Sequence, residues 1–405
     1  MRTAGIICEY NPFHTGHKRQ IDILRDMGYD CIVCVMSGNY TERGELAIFD
    51  KYTRAESAIL GGADVVLELP FPYSSFSAEG FANAGVHILS SVGIDAICFG
   101  SECGDEATLE RAADAVLSPK FKEIYSELTR SGRGSAAAYF DAISTITKEP
   151  SAMLSNDILG ISYIAAIKKL GAKLEIIPIK REGAAYNEKA LNEGVLPSAS
   201  AIREKIKNGC SDIKSSLGAF IPEASLSVLT KAHDKGQVPV FTDGIGEKIL
   251  SFFRLMSAEE ITNRAISRSK GGESVAEDGY GICQRLCNTA RTCRGFKEFL
   301  KESYTAKYTD ARINRVILFS LLGVSDVMTH TVPQYTALLA ANGVGREFLS
   351  AIRKDCGFPI ITKPADAPES VQRTLSEAAD SLYAEAMGNE KGLDFFIKSH
   401  PYMLK

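Results

Sequence analysis

The chain has 405 residues and a formal net charge of −4 at pH 7, from 46 Lys and Arg against 50 Asp and Glu. Hydrophobic residues make up 45% and charged residues 24%, the usual balance of a globular protein. A chain of this length most naturally divides into two domains. The mild negative charge excludes a general polyanion binder, so a nucleic-acid site must be a local basic patch.

Neither a membrane span nor a secretory signal is predicted, because long apolar runs are missing and Arg2 is followed by a short apolar run and then by polar residues. The ten cysteines are scattered through apolar segments, which is typical of free thiols in a reducing compartment. Cys283, Cys287 and Cys293 could share a helix face as metal ligands, but a suitable fourth ligand is missing nearby. We therefore expect a cytoplasmic protein with buried thiols and no protein-held metal.

Short apolar runs alternate with amphipathic stretches in the first half. The runs are "TAGIICEY", "DCIVCVMSG", "ADVVLELP", "IDAICFGSE" and "KLEIIPIKRE". The stretches between them predict helices over residues 17–27, 51–61, 78–91 and 156–170. Strands that are apolar on both faces indicate a parallel sheet covered by helices on both sides. The fold class is therefore α/β, with a doubly wound, Rossmann-like domain that binds its ligand at the carboxyl ends of the strands.

The strand signal fades after about Lys205. Helices are predicted over residues 248–253, 258–267, 281–303, 311–322, 344–354 and 368–387. The second half is therefore expected to be mainly α-helical, and we divide the chain into residues 1–235 and 236–405.

The stretch "EYNPFHTGH", Glu9 to His17, comes directly after the first apolar run. In a doubly wound domain this turn points helix N–H groups at a ligand, and the helix dipole adds about half a positive charge there. His14 and His17 lie on one side of the first helical turn and can donate to the same phosphate, while Gly16 lets the backbone approach it. The alternative of two packed or solvated histidines is disfavoured by the position after the first strand.

A second loop that leads into a helix is "PSASAIREK", residues 197–205. Alone, Ser198 and Ser200 followed by Arg203 could be an ordinary N-cap with a solvated arginine. Paired with "HTGH", the stretch resembles the phosphate-binding loop of the HxGH nucleotidyltransferase superfamily, which includes the class I aminoacyl-tRNA synthetases.

Further motifs resemble a narrower family, the bacterial tRNA(Met) cytidine acetate ligases. They are "IICEYNPFHTGH", "VMSGNYTERGELAIFDKYTRAESAILGGADVVLELP", "SFSAEGFANAGVHIL", "ICFGSE", "LSNDILGISYIAAI", "IPIKREGAAYNE" and "KYTDARINRVIL". The resemblance covers nearly the whole chain and is densest up to Lys205. It implies activation of acetate with ATP and magnesium as acetyl-adenylate. The acetyl group then passes to N4 of the wobble cytidine of elongator tRNA(Met), the expected partner.

The same resemblance implies His14, His17 and Arg203 as catalytic residues. It implies an ATP site made of Ile7, Cys8, Glu9, Tyr10, Asn11, Pro12, Phe13, His14, Thr15, Gly16, His17, Lys18, Arg19, Gln20, Gly100, Asn156, Arg181, Ser198 and Ser200. Two positions depart from the family pattern: Leu46 stands where proline is expected, and Asn187 where histidine is expected.

Elementary chemistry supports three of these assignments. Gly100 ends an apolar strand, so adenine or ribose could lie against its backbone. Asn156 can read an adenine edge or a ribose hydroxyl, and is equally suited to cap a helix. Arg181 can meet phosphate with its planar fork, the alternative being an ion pair with Glu182 or Glu9.

Two polar regions are candidates for the RNA substrate. The long segment 37–56 is expected to place Arg43 and Lys51 near the acceptor nucleotide or the path of pyrophosphate. A basic stretch in the second half could bind phosphates or could be a solvated helix face. It contains Arg285, Arg291, Arg294, Lys297, Lys301, Lys307, Arg312 and Arg315, with Tyr304 and Tyr308 among them.

Two other functions remain open from the sequence. A small-molecule adenylyltransferase or ligase, of the nicotinamide-mononucleotide or pantothenate type, would use the same two loops, but the large helical half argues against it. A non-catalytic RNA-binding protein has no physical need for His14, His17 and Arg203 together. The sequence leaves carboxylate selectivity and oligomeric state undetermined.

Overall fold

The computed structural model describes residues 1–149, 155–181, 197–209, 212–236, 238–265, 279–305, 308–325, 328, 330–354 and 356–404. The first half alternates strands and helices as predicted, and the four predicted helices begin and end within two residues of their expected bounds. Its elements are β1 Thr3–Cys8, α1 Thr15–Asp26, β2 Cys31–Ser37, α2 Lys51–Leu60, β3 Val65–Leu69, α3 Ala78–Ser91, β4 Ala96–Ser101, α4 Glu106–Leu117, α5 Pro119–Arg130, α6 Ser135–Thr147, α7 Ser155–Leu170 and β5 Glu175–Lys180.

The first five strands form a parallel sheet in the order β5-β4-β1-β2-β3. The chain winds from β1 outward to β3, then crosses back to β4 on the other side of β1. This change of direction makes a topological switch point between β1 and β4, where doubly wound folds bind their ligands. The predicted fold class is confirmed.

Helices cover both faces of the sheet, and its strands are therefore buried on both sides. On one face Ile21 and Leu24 of α1 join Ile6 of β1 in one apolar cluster. On the other face α3 packs closely on β1, since a Cβ at Gly85 would lie 2.6 Å from Cδ1 of Ile7.

The second half is mainly helical but returns to the sheet. Its elements are α8 Ala199–Lys207, α9 Ile213–Leu217, α10 Glu223–Asp234, α11 Gly246–Leu255, α12 Ala258–Ala265, α13 Gly279–Thr292, α14 Phe296–Ser303, α15 Asp310–Leu322, β6 Thr336–Ala341, α16 Gly343–Ile352, β7 Ile360–Ile361, α17 Val371–Ala386, α18 Asp394–Ile397 and β8 Tyr402–Met403. Across the described residues, no helix is long and apolar enough to cross a membrane.

Strand β6 is a feature that the sequence did not predict. It pairs antiparallel with β3, while β7 and β8 both pair with β6. Its sequence, "TALLAA", is rich in Ala and Leu, which favour helices, and has a single β-branched residue. Tertiary pairing with β3 overrides that local preference.

The single helix predicted over 281–303 is wrong, because α13 and α14 are separate helices. Arg254 donates to the carbonyls of Ala290 and Cys293, at 2.8 and 3.0 Å, and so satisfies the end of α13. Gly295 then adopts an extended conformation as the N-cap of α14.

Candidate active site

The histidine turn, residues 9–17, begins where β1 ends and places two imidazoles at the start of α1. Tyr10 has φ of 45°, in the left-handed region, and its buried ring packs against Phe13 and His17 with centroids 4.9 and 4.7 Å apart. His14 is the N-cap of α1. Its ring stacks on that of His17 with centroids 3.7 Å apart. The turn thus brings both predicted catalytic histidines together.

Both imidazoles accept a backbone N–H at Nδ1. The Gly16 N–H donates to His14 Nδ1 at 3.0 Å, and the His14 N–H donates to His17 Nδ1 at 3.3 Å. A neutral imidazole that accepts at Nδ1 carries its proton on Nε2. These hydrogen bonds therefore assign the tautomer, and each ring presents one Nε2–H donor.

The surroundings keep both rings neutral. Burial, followed by the charges of Arg181 and Arg203, lowers the pKa of His14 to about 3. Burial, followed by His14 and Arg181, lowers the pKa of His17 well below its ordinary value. At neutral pH the rings act as hydrogen-bond donors without charge, and the positive charge at the site comes from the two arginines.

The backbone N–H groups of residues 14–17, at the start of α1, already donate within the protein, which differs from the expectation that they point at a ligand. The Thr15 N–H donates to the Phe220 carbonyl at 2.9 Å. The Gly16 N–H is taken by His14 Nδ1, and the His17 N–H donates to the His14 carbonyl at 2.9 Å. The two imidazoles still have their Nε2–H groups as donors, because only their Nδ1 atoms take part in these hydrogen bonds.

Gly16 is required by the imidazole of its neighbour. A Cβ at this position would lie 2.9 Å from Cε1 and 3.0 Å from Nδ1 of His14. A side chain would displace the His14 ring and its hydrogen bond to the Gly16 N–H. The glycine of the motif is therefore required by the geometry of the His14 imidazole.

The serine-arginine loop, residues 197–203, lies against the histidine turn as the sequence predicted. Ser198 is the N-cap of α8 and accepts from the Ala201 N–H at 3.1 Å. Arg203 donates through one nitrogen to the Asn11 carbonyl at 2.9 Å and through the other to Ser200 Oγ at 3.1 Å. One guanidinium thus joins the two motifs, which are far apart in the sequence.

Gly100 lies near the end of β4, and Arg181 directly follows the neighbouring strand β5 at the same edge of the sheet. Gly100 pairs with Ile179, and the Arg181 N–H donates to the Ser101 carbonyl at 2.9 Å. A Cβ at Gly100 would be 3.4 Å from Cγ of Arg181, which is ordinary contact, so protein packing alone does not require glycine there. Arg181 is exposed and affects both histidine pKa values. Its alternative partner, Glu182, lies outside the described residues, as does Asn187.

Asn156 is held by a carboxylate that the sequence reasoning did not single out. Glu102 accepts from the Asn156 side-chain amide, and also from its backbone N–H at 3.1 Å. The neighbouring Asp157 is fully buried and accepts from Ser101 Oγ and from the Glu102 N–H, the latter at 3.0 Å. This network fixes the start of α7 to the end of β4. Glu102 is the last residue of "FGSE", and Asp157 is the last residue of "SND". The acidic residue in each motif was the signal from which this network could have been predicted.

Several side chains in the predicted ATP segment 7–20 have partners within the protein. Ile7 and Phe13 are buried in the apolar clusters, so their share in binding would fall to the backbone. Lys18 pairs with Asp22 at 2.5 Å, and the Gln20 amide donates to Cys98 Sγ at 3.3 Å. Glu9 and Asn11 accept from the N–H groups of Glu42 and Ile48, at 2.8 and 2.9 Å. Apart from the two histidines, the other members of the segment are Cys8, Tyr10, Pro12, Thr15, Gly16 and Arg19.

The prediction for Lys51 is wrong. Its Nζ donates to Glu68 at 2.9 Å and to Asp380 at 2.7 Å, and its side chain is 6% exposed. A buried ammonium with two carboxylate partners cannot reach a nucleotide in solvent. Lys51 instead joins α2 and β3 to α17, a contact that its position in a polar loop could not reveal. Arg43 is exposed, and its role stays a prediction.

The loop 38–50 connects the histidine turn to the second half of the chain. Glu9 accepts from the Glu42 N–H at 2.8 Å, and Glu42 in turn pairs with Arg315 of α15 at 2.9 Å. Tyr40 donates its hydroxyl to the Ala379 carbonyl of α17 at 2.8 Å. The basic stretch and the histidine turn are therefore joined by direct contacts through this loop.

The basic stretch is divided between structural and exposed cations. Arg285 donates to the carbonyls of Glu302 and Ser303 at the end of α14, the latter at 3.0 Å. Arg315 is paired with Glu42, while Lys297 is 88% exposed. Lys307 lies outside the described residues. The exposed members are Arg291, Arg294, Lys297 and Lys301, and Arg312 is half-buried over the Tyr308 ring.

Cys283 and Cys287 of α13, and Cys293 directly after this helix, are buried, and burial raises the pKa of Cys283 to about 11. Among the residues that the structure describes, no group of three His, Cys, Asp or Glu side chains could hold a metal ion.

The doubly wound sheet, the stacked neutral histidines and the arginines beside them define an enzyme of the nucleotidyltransferase class. A family model described as HIGH Nucleotidyl Transferase matches residues 1–393. The tRNA(Met) cytidine acetate ligase of Acetivibrio thermocellus is 34% identical, over 93% of this chain and 91% of the relative. The enzyme of that name from Caldanaerobacter subterraneus is 33% identical over 99% of both chains.

Two crystal structures of Thermotoga maritima TmcAL match over the full length of both chains at 29% identity. The apo form has a TM-score of 0.87, and the form bound with alpha-thio ATP has a TM-score of 0.84. The chain therefore belongs to the HIGH nucleotidyltransferase family, and within it to the tRNA(Met) cytidine acetate ligases. It is a ligase.

Proposed function

We propose that this chain uses ATP and acetate to form acetyl-adenylate, and then acetylates N4 of the wobble cytidine of elongator tRNA(Met). The names of its relatives and the ATP analogue in its structural neighbour support the substrates. The observation that carries the chemistry is the pair of stacked, neutral histidines with both Nδ1 atoms occupied and both Nε2–H groups available.

In the first step an acetate oxygen attacks the α-phosphorus and pyrophosphate leaves. Acetate is ionised at neutral pH and needs no general base. The protein therefore has to position the reactants and stabilise charge that grows on the phosphate oxygens. His14 and His17 supply neutral N–H donors, and Arg203 and Arg181 supply positive charge. Ser198 and Ser200, at the start of α8, would bind the outer phosphates together with Arg203.

In the second step the exocyclic N4 of cytosine attacks the acetyl carbonyl, AMP leaves with the bond electrons, and N4 loses one proton. N4 is a poor nucleophile, which is why free acetate would not react and a mixed anhydride is needed. The base must leave its stack, and this costs little in a single-stranded anticodon loop.

The two halves of the chain would then have different tasks. Residues 1–235 provide the adenylation site, and residues 236–405 bring the tRNA through the exposed cations of α13 and α14. Strands β6, β7 and β8 are the exception, since they belong to the sheet. A protein of this activity works in the cytoplasm, where aminoacylated and free tRNA are found.

Magnesium would arrive with ATP. The described residues offer no group of three His, Cys, Asp or Glu side chains that could hold it. ATP oxygens and water supply the ligands that Mg²⁺ prefers.

The test is incubation of purified protein with labelled acetate, ATP, magnesium and tRNA that lacks the modification. We expect ATP-dependent label in RNA, recovered as N4-acetylcytidine. Acetate-dependent exchange of pyrophosphate into ATP without label in RNA would retain the adenylation step and exclude the tRNA acceptor. Absence of both signals would refute the proposed function.

A further inference from the structure

Arg54 is a buried cation that the proposed reaction does not use directly. It lies in the first turn of α2, and its side chain is 0% exposed. It faces the end of β1, the end of β2 and the loop that precedes α2. A guanidinium in such a place needs acceptors for its donors, because an unpaired buried charge is strongly unfavourable.

Every acceptor that the structure gives to Arg54 is a backbone carbonyl. Nε donates to Phe49 at 2.8 Å, and one terminal nitrogen donates to Glu9 at 2.6 Å and to Ser37 at 3.1 Å. The other terminal nitrogen donates to Gly38. Three chain segments are therefore fixed by one planar group, and no described ion pair includes Arg54.

The Glu9 carbonyl is the contact that bears on catalysis. It belongs to the peptide group that leads into Tyr10, the residue with φ of 45°. An aromatic residue in the left-handed region is strained and persists only where its surroundings hold it. The Tyr10 ring packs on His17, and the carbonyl of the next residue, Asn11, accepts from Arg203. Arg54 thus acts on the backbone from which both imidazoles are positioned.

We propose that Arg54 is the positioning residue of the histidine turn: it holds the Glu9 carbonyl and so sets the orientation of the two Nε2–H donors. This inference rests on the proposed function, since it concerns the same site. Lysine cannot fully replace Arg54, because a single ammonium group cannot donate to the carbonyls of three chain segments arranged around one plane. Burial lowers the pKa of Arg54, but its ordinary pKa is so high that the group stays charged at neutral pH.

Arg25 offers a matched control at the opposite edge of the sheet. It lies in the last turn of α1 and donates to the carbonyls of Tyr29, Asp30 and Gly62, at 3.1, 2.6 and 3.2 Å. It also pairs with Asp64. Like Arg54, it joins backbone segments of the first half. Its contacts are remote from the histidine turn, so its loss should reduce stability and leave the reaction intact.

The experiment compares Arg54→Met, Arg54→Lys and Arg25→Met in the full chain. Melting temperature reports stability, the pyrophosphate exchange assay gives kcat and KM for ATP, and ¹⁵N spectra of labelled histidine report the tautomers of His14 and His17. For Arg54→Met we expect a loss in kcat of about 100-fold, as for reacting groups misplaced by roughly 1 Å. The Nε2–H tautomer signals of the two rings should also be lost or shifted. Arg54→Lys should restore part of both readouts.

The control separates positioning from stability. Arg25→Met should lower the melting temperature and keep kcat within about twofold, since it leaves the site geometry unchanged. If folded Arg54→Met keeps wild-type kcat and histidine spectra, or if Arg25→Met loses kcat equally, the inference is wrong. Should Arg54→Met fail to fold, Arg54→Lys takes its place under the same criteria. If the wild type shows no reaction, the proposed function fails, and the histidine spectra still decide the role of Arg54.

Discussion

Cations have different tasks at the edge of the sheet and in the helices α13 and α14. At the sheet edge Arg203 donates to the Asn11 carbonyl at 2.9 Å, and Arg54 is bound entirely by carbonyls. In the helical region Arg285 satisfies carbonyls at a helix end, while Lys297 is 88% exposed with its nearest carboxylate 3.9 Å away. Fixed cations can stabilise a transition state, whereas exposed ones attract a polyanion through their field.

This difference shows which of the two regions needs accurately positioned side chains. Adenylation depends on the position of a few donors relative to one phosphorus atom, so the site is built from side chains that the backbone holds. Binding of a tRNA backbone depends on the sum of many screened charges, and each exposed lysine contributes a small part. The effects of substitutions in the two regions should therefore differ in magnitude, in salt dependence and in the reaction step that is affected.

The largest effect is expected for His14→Ala. This variant loses one of two Nε2–H donors and the N-cap of α1, and the adenylation step should slow by about 100-fold to 1,000-fold in kcat. Affinity for tRNA should be unchanged. The measurements are pyrophosphate exchange and a tRNA binding assay, with His330→Ala, at an exposed histidine, as the control. Unchanged exchange in His14→Ala would rule out the role of the histidine pair.

A second expected effect concerns stability in acid. The pKa of His14 is lowered to about 3 in the fold, against about 6.5 in the unfolded chain, so the unfolded state binds its proton first. The contribution of His14 to stability is complete above about pH 6.5 and is lost as the pH falls towards 3. Each unit in that window costs about 1.4 kcal/mol, or about tenfold in the folding equilibrium.

Urea unfolding at about pH 7, 6 and 5 measures this slope. Other groups titrate as well, so the comparison is between wild type and His14→Ala, whose difference in unfolding free energy isolates the histidine. We expect the two curves to converge as the pH falls. Parallel curves would show that His14 is not buried as a neutral ring.

The smallest effect is expected for charge reversal in the helical region. Lys297→Glu with Lys301→Glu should weaken tRNA binding by about tenfold at moderate salt and reduce the salt slope by about two. The rate of pyrophosphate exchange should not change. The exposed lysines of α5 provide the control pair, Lys120→Glu with Lys122→Glu. Equal losses in both pairs would mean that only net charge matters and that α14 has no special role.

The sequence predicted the parts of the site that depend on local order. His14 lies between an apolar strand and a helix, and both elements can be predicted from the hydrophobic pattern of the residues around it. The family resemblance implied that Arg203 and the two histidines serve one phosphate site, and the structure brings Arg203 to the Asn11 carbonyl of the histidine turn. The roles of the individual site residues remain predictions.

Long-range burial could not be read in the same way. Lys51 was expected to be a cation of a polar segment near the nucleotide, but Glu68 of β3 and Asp380 of α17 hold it in a buried ion-pair network. Arg54 had a readable signal, because it shares a helix face with Ala55 and Ala58, which are buried. A cation among such positions indicates buried acceptors, but the sequence does not say which. Strand β6 was missed because its composition favours a helix and its pairing partner is distant.

Strand β6 also sets an order for assembly on the ribosome. The outer edge of β3 stays unpaired until residues 336–341 have been synthesised, although β3 itself ends at Leu69. The carboxylate of Asp380, which completes the environment of Lys51, is synthesised later still. The adenylation site is encoded mostly in the first half, yet its sheet and its buried charges are completed only when nearly the whole chain has emerged. A nascent first half therefore carries an unpaired strand edge, which is a natural target for chaperones.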